Sequence, residues 1–290
     1  MRHVYIFVVL AAFLFGTMEV ALKLAGGQMD SFQLTFLRFI IGGLLLLPFA
    51  LIEVKKRKIK LSRKDYGYLL ILGILCIPVS MLLFQLGVMR SNASTAAVLL
   101  SVNPLFTMVF AHFLTNEKIT KQKAMSLLIG MAGLIMMIRP WDIQKGNTVM
   151  GVILMILAAM FFGLYTVMGK ISVNKIGIMA QTSISFILGS LVLLVIMLVM
   201  QRPVLAGVAE NFILVLYISI FVTGLGYYCY FMAIRKSDAT TGSITFLIKP
   251  AIAPIIAVIV LREILLWNTY CGIILVSLAS WLNLRKKNQS

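Results

Sequence analysis

The strongest constraint in this sequence is a succession of apolar runs, each long enough to cross a lipid bilayer. They lie at 4–24, 31–52, 66–87, 93–114, 122–138, 149–171, 178–200, 211–232, 239–261 and 268–284. A helix needs about 20 apolar residues to cover the hydrocarbon thickness. Within that thickness every backbone N–H and C=O must be satisfied inside the segment or inside a closed barrel. Barrel strands are only about 10 residues long and alternate in polarity, unlike these runs. The expected fold is an all-α membrane protein with ten transmembrane helices. Spans of that length leave about 90 residues for all loops and tails, too few for a separate catalytic or nucleic-acid-binding domain.

The residue balance agrees, with 61% apolar and 12% charged residues against about 25% charged in soluble domains. The formal charge of +17 has the sign of a nucleic-acid-binding protein, but its positions argue otherwise. The largest block, Lys55, Lys56, Arg57, Lys58, Lys60, Arg63 and Lys64, lies between two apolar runs with no interleaved aromatic residue, so no stacking platform for bases exists there. With the N-terminus inside, 17 of the 26 basic residues fall in inner segments and 5 in outer ones; Lys23, Arg38, Lys170 and Lys249 lie within spans. Basic residues accumulate on the cytoplasmic side of short loops, which predicts an inner-membrane, multi-pass chain with both termini cytoplasmic. The opening Arg2 and the run Val4 to Gly16 have the look of a signal peptide, yet apolar character continues to Leu24 without a small-residue cleavage site; a retained first span is expected. Cys76, Cys229 and Cys271 all stand in apolar runs, a pattern that implies no disulfide or metal framework.

The chain also repeats itself. Ser91 to Glu117 aligns without gaps on Ser237 to Glu263, matching Ser91, Ala93, Thr95, Pro104, Ala111 and Glu117 with Ser237, Ala239, Thr241, Pro250, Ala257 and Glu263. Ala11 to Lys23 aligns likewise on Ala158 to Lys170. The spacing predicts two repeats, 1–140 and 141–290, of five spans each. Because five is odd, the second enters the membrane from the opposite side, and inverted repeats of this kind are a recurrent plan of secondary transporters, with substrate bound near midplane.

These features resemble the EamA-type drug/metabolite transporters. The resemblance rests on Phe15-Gly16 with Lys23, on Phe162-Gly163 with Lys170, on Leu37-Arg38-Phe39 in the second span, and on Glu117 and Glu263 closing the fourth and ninth. It implies the ten-helix fold but not a substrate, since the superfamily carries amino acids, other metabolites, quaternary cations and nucleotide sugars. Glu19, inside the first span, departs from the family's usual pattern; small multidrug transporters of the same superfamily are similar in placing a Glu in their first helix.

Glu19 is the acid that stands well inside a run. A charge there costs about 2.5–3.5 kcal/mol or more and usually faces a polar interior with a function, here substrate binding or proton coupling; a structural ion pair is the other reading. Lys249, at the centre of the ninth span, is the repeat mate of Asn103, and helix rise puts it within reach of Glu19. Pro104 and Pro250, also mates, are candidate kinks or gates, with Pro254 one turn further. Tyr165, Thr166 (the mate of Glu19) and Tyr227 are candidate substrate contacts, with Tyr228, Tyr230, Phe84 and Phe246 as a wider aromatic set; packing is the alternative for each. Arg38 is expected to snorkel to the outer face, His112 to be packed and satisfied, Lys23 and Lys170 to snorkel or cap carbonyls, and Glu117 and Glu263 to close their repeats.

His3 and His112 are the only histidines and no Gly-rich phosphate loop precedes a Lys-Ser/Thr pair. Neither an enzyme nor a cofactor or metal is expected. The reading is a secondary active transporter that moves a small metabolite, of the amino acid or amine class, across the cytoplasmic membrane by alternating access. The resemblance suggests export. Its partners are the solute, the bilayer, and a proton or counter-substrate; no nucleic acid is involved, and a monomer is compatible with the sequence. Proton-coupled multidrug or organic-cation efflux through Glu19 is the alternative within transport. A non-transporting membrane scaffold or receptor, which needs no symmetric polar residues at midplane, is the alternative outside it.

Overall fold

Helix starts in this chain follow local capping chemistry. Asp30 accepts the Phe32 amide at 2.9 Å and opens α3 (Ser31–Lys56). Ser62 and Asp65 form a reciprocal capping box at the start of α4 (Arg63–Ile74), and Thr148 accepts the Gly151 amide at 3.0 Å to begin α9 (Val149–Ile176). Each satisfies amides that lack an intrahelical partner. The computed structural model describes residues 2–115, 117–138, 147–237, 239, 242, 245–262 and 266–285, and every regular element among them is helical. Thr241, Glu263, Arg139, Lys145, Lys286 and Lys287 lie outside the described residues, as does the side chain of Pro250.

Along the chain, α1 (Arg2–Gly16) and α2 (Met18–Gly26) precede α3 and α4, followed by α5 (Leu82–Val88), α6 (Ala93–Leu100), α7 (Asn103–Thr115) and α8 (Lys121–Ile138). After α9 come α10 (Ile178–Val199), α11 (Phe212–Tyr217), α12 (Gly226–Lys236), α13 (Thr245–Leu261) and α14 (Trp267–Arg285). Seven stretches are long and apolar enough to cross a membrane: Ile6–Gly26, Ser31–Lys56, Arg63–Val88, Ala93–Thr115, Val149–Ile176, Ile178–Val199 and Phe212–Lys236. The fifth, ninth and tenth expected spans overlap α8, α13 and α14, which are not among these seven. In the last two the described apolar stretches, Ile252–Leu261 and Trp267–Ala279, are shorter.

Polarity is distributed as lipid demands. Ile213, Val199 and Phe113 are 82%, 80% and 76% exposed, whereas Glu19, Arg38, Lys249 and Gln181 are fully buried. Large apolar side chains outside and ionised ones inside reverse the pattern of a protein in water. This is a multi-pass membrane protein.

Close helix crossings position the interior. A Cβ on Gly16 would stand 2.8 Å from Cγ2 of Ile252 on α13, and one on Gly163 would stand 2.9 Å from Cβ of Phe106 on α7. Gly16 and Gly163 differ by 147 positions, Phe106 and Ile252 by 146. A second matched set has the same spacing: Gly42 packs against Ser219, and Gly189 packs backbone to backbone against Gly73. Small residues let membrane helices approach this closely.

Four of the described spans are irregular, the first of them interrupted at Thr17 between α1 and α2. The stretch Arg63–Val88 contains a π-helical segment, Leu75–Met81, with Pro78 inside it, and Phe212–Lys236 contains another, Ile218–Leu225. The fourth expected span is broken at Ser101 and Val102, so Pro104 lies in the first turn of α7 rather than kinking a continuous helix. There its missing N–H removes no intrahelical bond.

Candidate functional site

The first and ninth expected spans meet where α1 and α2 run beside α13, the crossing that Gly16 permits. That crossing brings Glu19 and Lys249 together, 230 positions apart in sequence. Lys249 donates a hydrogen bond from Nζ to Glu19 Oε1, and both side chains are fully buried. Lys249 Nζ also lies 5.5 Å from the ring centre of Phe84 and 5.7 Å from that of Phe246, within range of cation–π attraction. Oε2 of Glu19 has no hydrogen-bond partner among the described residues.

Arg38 enters the same interior from α3 and corrects the expectation that it snorkels outward. It is fully buried, its NH1 is 3.5 Å from the sulfur of Met18, and its Cζ lies 4.7 Å from the Phe39 ring centre. Its Nε and NH2 have no hydrogen-bond partner among the described residues. It feels the charges of both Glu19 and Lys249. Counting residues from the helix end says nothing of direction: residues 33–39 of α3 are all buried, so that turn faces protein on every side.

Aromatic rings enclose the charged group. Tyr227 packs edge-on against Phe15, Phe39, Phe162 and Phe186, with ring centres 5.4, 5.8, 5.9 and 5.0 Å away. The Tyr165 hydroxyl accepts from Gln181 Nε2 at 3.5 Å, and Cys76, on the first π-helical segment, lies against both tyrosine hydroxyls. Thr166 shares a 2.8 Å hydrogen bond with Tyr230 and donates to the Phe162 carbonyl at 2.9 Å. Tyr165, Thr166 and Tyr227 are thus buried together.

Asn103 is held elsewhere. It donates to the Ala159 carbonyl at 3.1 Å and accepts from Thr107 at 3.2 Å, joining α7 to α9. Pro104, beside it, is buried at that junction. Tyr228 is half-buried and packs edge-on against Phe7, 6.4 Å away, on the outer side of α12. His112 is exposed rather than packed, with Nδ1 3.2 Å from the Glu117 carbonyl oxygen, because α7 turns that face away from the bundle. Lys23 donates to the Ser91 carbonyl at 2.6 Å. Lys170 instead pairs with the Glu117 carboxylate at 2.9 Å.

The chemistry available is recognition of charge. A buried site that holds two basic side chains and one carboxyl group has more positive than negative groups, and in low dielectric each unpaired donor is costly. A group of three or more metal-ligating side chains does not occur among the described residues.

Ionisable side chains buried inside membrane helices usually mark solute, ion or proton pathways. The model of the EamA-like transporter family matches this chain twice, over residues 3–139 and 149–285, and the chain belongs to that family. It is similar to an uncharacterized transporter of Clostridium kluyveri, 37% identical over 290 residues that cover 98% of this chain and 93% of the other. It is also similar to the S-adenosylmethionine uptake transporter of Rickettsia prowazekii, 28% identical over 174 residues, 60% of this chain and 57% of that one. A solved crystal structure superposes over 100% of both chains with a TM-score of 0.76 at 15% identity, a likeness of fold alone. The chain is a membrane transporter by family.

Proposed function

We propose that the protein carries small zwitterionic metabolites of the amino acid class across the cytoplasmic membrane by alternating access between two inverted five-helix repeats. Ten spans are the basis of this reading, with α8, α13 and α14 as the fifth, ninth and tenth and with both termini cytoplasmic. The matched crossings at Gly16 and Gly163 support a twofold relation between the halves.

The observation that carries the substrate class is Arg38, a fully buried guanidinium beside the Glu19–Lys249 pair, two of whose nitrogens have no partner among the described residues. A planar guanidinium fork matches a carboxylate in two parallel bonds. The substrate carboxylate docks on Arg38, and its ammonium competes with Lys249 for Glu19. A zwitterion brings both charges in one molecule and leaves the site no more charged than before. An organic cation would meet two cations against one acid, so multidrug efflux through Glu19 is the weaker reading. S-adenosylmethionine, the solute named for the Rickettsia prowazekii relative, carries an amino-acid head group and, beyond it, a sulfonium cation; the head group, not the net charge, is what supports this class.

The test is counterflow in proteoliposomes with amino acids, the corresponding amines without the carboxylate, and lipophilic cations. Amino acids should exchange and the amines should not. Exchange of amines or lipophilic cations alone overturns the zwitterion reading, and no exchange of any solute by folded protein overturns transport by this site. Export is tested separately in oriented vesicles, by comparing efflux with uptake under the same gradient.

A further inference from the structure

At the basic end of the bundle a groove of about 420 Å³ opens between α3, the start of α10 and α12, within the range of about 300–1,000 Å³ usual for ligand sites. Its walls are two stripes of the same pattern. On α3, Phe49, Ile52 and Lys56 share one face at spacings of three and four; on α12, Tyr228, Met232 and Arg235 do the same. Each stripe is apolar first and ends in a cation, and Phe49 lies about 10 Å along its helix from Lys56. Phe49 and Ile52 are 56% and 49% exposed, so the apolar part opens toward lipid.

The carboxylate in the groove is committed. Glu53 accepts the Met179 and Ala180 amides at 2.8 and 3.4 Å, capping α10, and pairs with Arg57 at 3.4 Å. Among the described residues Lys56 and Arg235 have no carboxylate opposite them in an ion pair.

We infer that this groove binds an anionic phospholipid of the leaflet on the basic side, with the headgroup phosphate on Lys56 and Arg235 and the acyl chains along Phe49, Ile52, Tyr228 and Met232. A free phosphate satisfies the cations but not the apolar stripes; a zwitterionic lipid fills the stripes, but its own ammonium offsets the phosphate charge that the two cations would meet. Basic pockets between helices on the cytoplasmic side suit anionic headgroups in this way. The site is separate from the interior cluster and does not depend on which solute is carried.

The experiment is a binding titration by native mass spectrometry of the full chain in neutral detergent, with phosphatidylglycerol, phosphatidylcholine and inorganic phosphate as probes. Phosphatidylglycerol should bind preferentially, and Lys56→Gln with Arg235→Gln should weaken it about 30-fold while phosphatidylcholine binding stays unchanged. Lys60→Gln with Lys64→Gln, charges in the same basic block but outside the groove, should leave the preference intact. Met232→Trp, which fills the groove and keeps its charges, should also weaken phosphatidylglycerol. Equal binding of the two lipids overturns the inference, as do equal losses in the two charge variants, full binding by Met232→Trp, or displacement of the lipid by inorganic phosphate.

Discussion

Lys170 Nζ lies 2.9 Å from Glu117 Oε1, and the same oxygen accepts the backbone amide of Ala239 at 3.0 Å. One carboxylate thereby joins α9 to the segment after α7 and to the approach to α13. The two side chains are 17% and 12% exposed, between the surface and buried limits for ion pairs.

Lys170→Met and Glu117→Gln should each lower stability by about 1–3 kcal/mol, above a surface pair and below a fully buried one. The double variant should lose less than the sum. Thermal unfolding of the four proteins measures the coupling, and strictly additive losses would show that the pair contributes nothing.

For the buried pair the expectation separates stability from transport. Glu19→Gln leaves Lys249 as an unpaired buried cation and should cost about 3–5 kcal/mol, and Lys249→Met leaves the opposite charge at similar cost. Combining them should restore most of the stability, yet counterflow should stay abolished. A double variant as unstable as the two losses added together, or one that transports normally, would be the contrary result.

Arg38→Met should move the two readouts in opposite directions. Removing a buried cation whose Nε and NH2 lack partners among the described residues should raise stability by about 1–3 kcal/mol, while amino acid exchange is lost. If Arg38 serves only packing, unfolding will shift downward and exchange will fall in proportion to folded protein.

The two glycine crossings differ in how they can be relieved. Gly16→Ala and Gly163→Ala should each cost about 1–3 kcal/mol through overpacking. Ile252→Ala should recover part of the first loss, since the nearest atom to a new Cβ there is Ile252 Cγ2 at 2.8 Å. Phe106→Ala should recover none of the second, because the obstructing atoms are Phe106 Cβ and the Thr107 amide nitrogen, both at 2.9 Å. Unfolding midpoints of the singles and doubles decide it.

What the sequence disclosed follows from the physics of the bilayer. Glu19 and Lys249 stood out because an ionisable residue within an apolar run needs a partner, and helix rise placed the two at compatible depths. The repeat was visible as a near-constant offset, 146 in one block and 147 in the other. Arg38 was misjudged because depth along a helix says nothing of which neighbours surround that turn. Lys170 was read as capping or snorkelling because its partner lies 53 positions back, across a crossing that only the packing of α7 on α9 creates. The π-helical segments at Leu75–Met81 and Ile218–Leu225 carry no periodic signature, since one widened turn leaves the apolar run unchanged.

Gly16 lies in the part of the chain matched by the first copy of the family model and packs on α13 in the second; Gly163 lies in the second and packs on α7 in the first. Each half is therefore a mould for the opening helix of the other. A larger side chain at either glycine is resisted by residues of the opposite half, so the shape of each copy's first helix is held by the other copy.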